Sequence, residues 1–224
     1  MMPGLKKNNQ VLVLAAHPDD ETLGCGGTIA RFASEGSDVR LLIFTDGISA
    51  RCSGDRRDQL EKVSKILGIS EYKCFDFPDN MMDSVPLLSI VSKIEKYLEE
   101  SGFLPDIVLT HSPFCLNVDH RAVYNSTITV FRGLEQFNPI KIMSYEVLSS
   151  SEWNPVSGFM PNAYVNIANS FKKKVKALKV YSSEMRDHPH PRSIKNVKRV
   201  AKIHGSEAGI DFAERFMIIR EVIK

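Results

Sequence analysis

V11-L-V-L-A-A-H-P-D-D-E21 is the stretch that decides the fold: an apolar run from Val11 to Ala16, bounded by Pro18, leads straight into one histidine and three carboxylates. The run has the length and β-branched content of a strand buried on both faces. In open α/β sheets, ligands and reactive groups lie just beyond the carboxyl ends of strands. Three adjacent carboxylates repel one another unless a cation is present, so the junction points to metal-binding chemistry at a strand end.

Working outward, residues 21–34 carry Leu23, Ile29, Ala30 and Phe32 at roughly helical spacing, with Gly24, Gly26 and Gly27 near the start to let this helix approach the first strand. Residues 38–44 read as the next strand, with Thr45-Asp46-Gly47 as its terminal turn, which completes a β-α-β unit. Residues 56–67 place Leu60, Val63, Ile66 and Leu67 on one helical face, and 72–77 form a short strand. An amphipathic helix follows at 87–100, a strand at 106–110 with His111 at its end, a helix at 119–131 and a strand at 140–146. Strands alternating with helices predict a mostly parallel sheet with right-handed crossovers, an α/β Rossmann-like three-layer sandwich.

The last third reads as an edge strand at 164–167, a basic helix at 170–183, a helix at 193–204 and a terminal strand or helix at 211–223. No repeat or long linker divides the chain, so residues 1–224 are expected to form one domain.

Composition narrows the function classes. A hydrophobic share of 43% and a charged share of 25% match a globular protein. Lysine plus arginine number 29 against 27 acidic residues, a net charge of +2 that gives no global case for nucleic acid. The N-terminus lacks an apolar leader core, and no stretch approaches the roughly 18 apolar residues of a transmembrane span; a cytoplasmic protein is expected. Cys25, Cys52, Cys74 and Cys115 are widely separated, which favours reduced, packed thiols over a zinc knuckle or a disulfide scaffold.

His17 and Asp20 lie three apart in a turn, close enough to share one cation, while Asp19 between them points elsewhere. His120 is the candidate third ligand. It lies in H111-S-P-F-C-L-N-V-D-H-R-A-V123, a segment that follows a later strand and opens a helix. Two imidazoles and one carboxylate with an open position suit catalytic Zn2+, although other divalent metals tolerate the set.

A-H-P-D-D-E at 16–21, G-C-G-G-T at 24–28 and N-V-D-H-R-A-V at 117–123 resemble the signatures of the PIG-L (LmbE-like) de-N-acetylases. The resemblance extends to T-D-G at 45–47, the 56–67 helix ending in L-G, and P-H-P-R-S at 189–193. It implies zinc-dependent removal of an N-acetyl group from an amino sugar or its conjugate, releasing acetate and a free amine. Under that chemistry Asp19 accepts the proton of the attacking water and, once protonated, can return it to the departing nitrogen. The substrates of such a family include lipid-linked sugars, thiol-precursor glycosides, oligosaccharides and nucleotide sugars, and many of its members self-associate.

One position departs from the pattern: several family members have H-x-D-H, whereas this chain has Asn117. Asparagine can still donate a hydrogen bond to an oxyanion, and His190 or His111 can provide the missing imidazole. Asp119 either orients an imidazole or Arg121, or caps the helix. Glu21 either starts its helix or orients a neighbour. Arg56 and Arg192 suit a sugar hydroxyl or phosphate, or are plain exposed arginines. Asp46 either contacts substrate or shapes its turn.

Lys172, Lys173, Lys174, Lys176 and Lys179 read as a solvated helix face or an attraction for a phosphorylated sugar, and Trp153 as a sugar-stacking ring or a loop anchor. Two rivals remain: a noncatalytic module binding metal or nucleotide, and a metal-dependent hydrolase of another bond such as a phosphoester. The glycines at 24–27 lack the G-x-G-x-x-G fingerprint that the nucleotide reading wants.

Overall fold

The computed structural model describes residues 8–45, 56–133, 137–154 and 158–223. Its order is β1 (Gln10–Ala15), α1 (Asp20–Ser34), β2 (Asp38–Ile43), α2 (Arg56–Leu67), β3 (Glu71–Cys74), α3 (Leu87–Ser101), β4 (Ile107–His111), α4 (Val118–Val130), β5 (Lys141–Tyr145), β6 (Ala163–Asn166), α5 (Phe171–Val180), α6 (Ile194–Glu207) and β7 (Ala213–Glu221). One sheet runs β3-β2-β1-β4-β5-β7-β6. Its first five members in that order are parallel, while β7 is antiparallel to both β5 and β6. The terminal segment is therefore a strand, inserted between β5 and the edge strand β6.

Strand β1 shows why the apolar run decides the fold. Val11, Val13 and Ala15 point into a core shared with α1, α2, α5 and α6, whereas Leu12, Leu14 and Ala16 point into one shared with α3 and α4. All six are fully buried. Burying one Val or Leu side chain is worth about 1.5–3 kcal/mol, so a charge at any of these six positions would disrupt the layer that it faces. The chain turns to β2 and β3 on one side of β1 and to β4 and β5 on the other. The reversal opens a crevice at the carboxyl ends of β1 and β4.

Helix α1 is broken at Cys25, whose φ of −139° and ψ of 20° are not helical. In an unbroken helix the Gly27 N–H would donate to the Leu23 carbonyl. A buried ion pair enters that gap instead: Lys174 Nζ donates to the Leu23 carbonyl at 2.8 Å, and Glu214 accepts the Gly27 and Thr28 N–H groups at 2.9 and 2.7 Å. Lys174 and Glu214 themselves lie 2.6 Å apart. Lys174 is thus buried, unlike the exposed Lys172, Lys173, Lys176 and Lys179.

The helix glycines make room for other neighbours than the expected first strand. A Cβ at Gly24 would run into the Tyr145 ring of β5, and one at Gly27 would lie 2.9 Å from Ile167. Cys25 and Cys115 are buried and Cys74 is half-buried, none of them in a disulfide; Cys52 lies outside the described residues. No helix among the described residues is long and apolar enough to cross a membrane.

Candidate metal centre

His17 follows the end of β1, and its backbone N–H and Nδ1 both meet Asp20 Oδ2, at 2.9 and 3.0 Å. His120 comes from the first turn of α4. Asn117 caps that helix, its Oδ1 accepting the Asp119 and His120 N–H groups at 2.8 and 3.3 Å. This places His120 Nε2 3.1 Å from the same Asp20 oxygen. One ligand atom from each of His17, Asp20 and His120 lies within 4.8 Å of the others. The second oxygen, Asp20 Oδ1, is buried and has no hydrogen-bond partner among the described residues. An orphaned carboxylate oxygen beside two imidazole nitrogens fits a divalent cation.

The outer nitrogens of both rings are held. His17 Nε2 faces Asp119 Oδ2 at 3.0 Å and Asp79 Oδ1 at 3.1 Å, and Asp119 is fixed by the Asn80 and Met82 N–H groups at 2.7 and 2.9 Å. His120 Nδ1 meets the Cys115 thiol at 3.1 Å. Its ring stacks on His111 with centroids 3.9 Å apart. His111 Nε2 accepts the Ala16 N–H at 2.9 Å.

Electrostatics follow from this crowding. Burial alone would depress both ligand histidines, but contacts with Asp119 and Asp20 hold His17 well above the usual range, and Asp20 lifts His120 to about 9. Burial opposes ionisation of Asp20 as well, yet the two imidazoles outweigh it and keep the carboxylate charged. Burial and neighbouring His120 hold His111 low, hence neutral. The cluster has an excess of negative charge that it shares with protons or with a metal.

Asp19, the N-cap of α1, pairs with an arginine rather than with these ligands. Its Oδ2 meets Arg192 Nη1 at 2.8 Å, and Arg192 Nε donates to Ser149 Oγ at 2.7 Å. Burial raises Asp19 and Arg192 pulls it back, leaving it at about 7.

The structure thus gathers His17, Asp19, Asp20, Asn117, Asp119, His120 and Arg192 around one crevice. His190 stays exposed beside it, its Nδ1 accepting the Arg192 N–H at 3.1 Å. Asp46 and the side chain of Arg56 lie outside the described residues. Capping of α4 falls to Asn117 rather than Asp119, which instead orients His17. Asn117 Nδ2 donates to Asn80 Oδ1 at 3.3 Å.

Asp79 was missed by sequence reasoning; the signal was its place in P78-D79-N80, shortly after a short strand. Trp153 is 66% exposed and reads as no buried anchor. Glu214 occupies the Gly27 and Thr28 N–H groups, so the glycine segment offers neither of these donors to a nucleotide phosphate.

The chain is similar to several known proteins. The family model described as PIG-L, GlcNAc-PI de-N-acetylase, matches residues 12–131. The diacetylchitobiose deacetylase of Thermococcus kodakarensis is 25% identical over 221 residues, covering 92% of this chain and 81% of that protein. A conserved protein of Thermus thermophilus superposes with a TM-score of 0.80 at 25% identity, covering 96% of this chain and 97% of that one. The 4-carboxy-2-hydroxymuconate hydratase of Pseudomonas putida also superposes, with a TM-score of 0.79 at 18% identity and coverage of 96% and 98%. That likeness concerns the fold alone and leaves the reaction to be argued from the site.

Proposed function

Because the chain belongs to the PIG-L de-N-acetylase family, we propose that it is a zinc-dependent hydrolase, one domain throughout, that removes the N-acetyl group of an amino-sugar derivative. The observation that carries this reading is the meeting of His17 Nδ1 and His120 Nε2 on one oxygen of Asp20, with Asp19 next in sequence and held by Arg192 instead of joining them. His17, Asp20 and His120 would hold the ion. When bound, a zinc ion supplies Lewis-acid activation of water and of the acetamide carbonyl.

The protein's own residues do the rest. Asp19 takes the proton of the attacking water, and its carboxyl at about 7 is balanced between accepting that proton and returning it to the departing nitrogen. Arg192 holds the Asp19 carboxyl in place and offers the remainder of its fork to a sugar hydroxyl or phosphate. Asp119 fixes the tautomer and orientation of His17, and Cys115 does the same for His120. Asn117 Nδ2, whose bond to Asn80 is long, is the nearby side-chain donor for the developing oxyanion. Asp46, Arg56 and the exposed His190 are the further candidates for contact with the sugar.

Acetate release tests the reading. Zinc-loaded protein should liberate acetate from at least one of N-acetylglucosamine, N,N′-diacetylchitobiose and an N-acetylglucosaminyl glycoside, and Asp19→Asn should cut that rate by about 10²–10⁴-fold. Parent protein no faster than Asp19→Asn on all three would sink it.

A further inference from the structure

We propose that Glu21, backed by Tyr181, is a positioning residue that holds Asp19 in a left-handed backbone and so aims its carboxyl at the reacting groups; this rests on the reading of Asp19 as the proton carrier. An aspartate at a helix N-cap ordinarily keeps an extended backbone and uses its own side chain to accept an N–H of the first turn. Asp19 does neither. Its φ is 119° and ψ −28°, and its side chain makes no capping bond. The Asp19 carbonyl still starts the helix, accepting the Thr22 and Leu23 N–H groups at 3.0 and 2.8 Å. Only the side chain has been released, and it goes to Arg192.

Such a backbone costs a residue with a Cβ about 1–3 kcal/mol and persists only where the surroundings impose it. Glu21 supplies the constraint. Its Oε2 accepts the Asp19 N–H at 3.0 Å, while its Oε1 is occupied by the hydroxyls of Thr22 at 2.5 Å and Tyr181 at 3.1 Å. Tyr181 comes from the end of α5, so the brace ties Asp19 to a helix far along the chain. A helix dipole favours a carboxylate in the first turn without requiring its burial or its bonding to a remote helix. Glu21 and Tyr181 are both fully buried, and Glu21 has no salt bridge among the described residues. Its carboxylate is spent on one N–H and two hydroxyls, which is the work of a brace.

The test uses the full chain, zinc-loaded, with Glu21→Ala, Glu21→Gln, Tyr181→Phe and Asp19→Asn. Glu21→Ala should keep its zinc and its KM within about twofold yet lose about 10- to 100-fold in kcat, as expected for a misaligned group. Glutamine can still accept the Asp19 N–H and face both hydroxyls with its amide, so Glu21→Gln should stay within about threefold of the parent. Adding Glu21→Ala to Asp19→Asn should cost almost nothing further, because both act through one group.

A crystal structure of Glu21→Ala should show Asp19 relaxed from positive φ and parted from Arg192. Should that variant not fold, the structure of Tyr181→Phe takes its place, with a lengthened Asp19 to Glu21 bond and a few-fold loss of kcat expected. Asp19 unmoved in these structures overturns the proposal, and so do losses that multiply with Asp19→Asn. A parent without deacetylase activity whose Asp19 nevertheless moves in Glu21→Ala leaves the brace standing and sinks only the catalytic reading.

Discussion

Helix α1 connects two clusters of buried charge that differ in whether they close on themselves. Behind the Cys25 break, Glu214 and Lys174 neutralise each other, and both also bond the backbone groups that the break exposes. At the front of the same helix, Asp20, Asp79 and Asp119 surround His17, and Asp20 keeps an oxygen without a partner among the described residues. The rear cluster spends its charge on holding a shape. The front cluster keeps charge in reserve for something the chain itself does not supply. Buried polar groups that are fully paired stiffen a fold, whereas a deliberate shortfall marks a place where a ligand completes the set.

The contrast is broken most severely at Asp20. Asp20→Ala removes the oxygen on which both imidazoles converge, and the expected loss is at least about 10³-fold in acetate release, the scale of the charge stabilisation a metal provides. Zinc retained after dialysis should fall from about one equivalent to none. The melting temperature of the metal-free protein should fall less than on loss of Glu214, because the two imidazoles that Asp20 pairs with can shed their protons once it is gone. A variant that keeps parent-level zinc would place the ion elsewhere.

The rear cluster should answer in stability instead. Glu214→Ala strands Lys174 in the core and should cost about 3–5 kcal/mol in urea unfolding, with zinc binding retained. Replacing both members with apolar residues often restores stability at a buried ion pair. Here it should not. The Leu23 carbonyl and the Gly27 and Thr28 N–H groups would be left unsatisfied, so Glu214→Leu with Lys174→Met should remain about 2 kcal/mol or more below the parent. Full recovery in the double variant would show that the pair is not what bridges the break in α1.

The two clusters also differ in how far they could be read from the sequence. The front one is written in short contiguous motifs: H-P-D-D-E directly follows the strand run, and N-V-D-H directly opens a helix, so local pattern supplied both the residues and their position at strand ends. Asp79 escaped because it reaches His17 from a loop with no periodic pattern around it. The brace on Asp19 was half visible, since Glu21 stands in the motif while Tyr181 lies 160 residues away.

The rear cluster was illegible. Lys174 stands among other lysines that are exposed, and its partner Glu214 lies on a strand whose insertion between β5 and β6 no local signal announces. Alternation of strands and helices predicted the parallel part of the sheet; the antiparallel end depends on long-range pairing alone.

The smallest effect expected at the front cluster is a pH dependence of zinc binding. Asp20 outweighs burial to lift His120 to about 9, and Asp119 and Asp20 together hold His17 well above the usual range, so both rings carry protons at neutral pH before a metal binds. A metal requires neutral imidazole, so binding must expel those protons. The sign follows: the apparent Kd for zinc should fall as pH rises from 6 towards 9, by about tenfold per unit for each proton released. Calorimetric titration in two buffers of different ionisation enthalpy counts those protons directly. One to two released near pH 7 fits an open cluster in which protons stand in for the cation. Affinity that stays flat between pH 6 and 8, with no proton released, would mean that the imidazoles meet Asp20 as neutral groups and that the front cluster is closed after all.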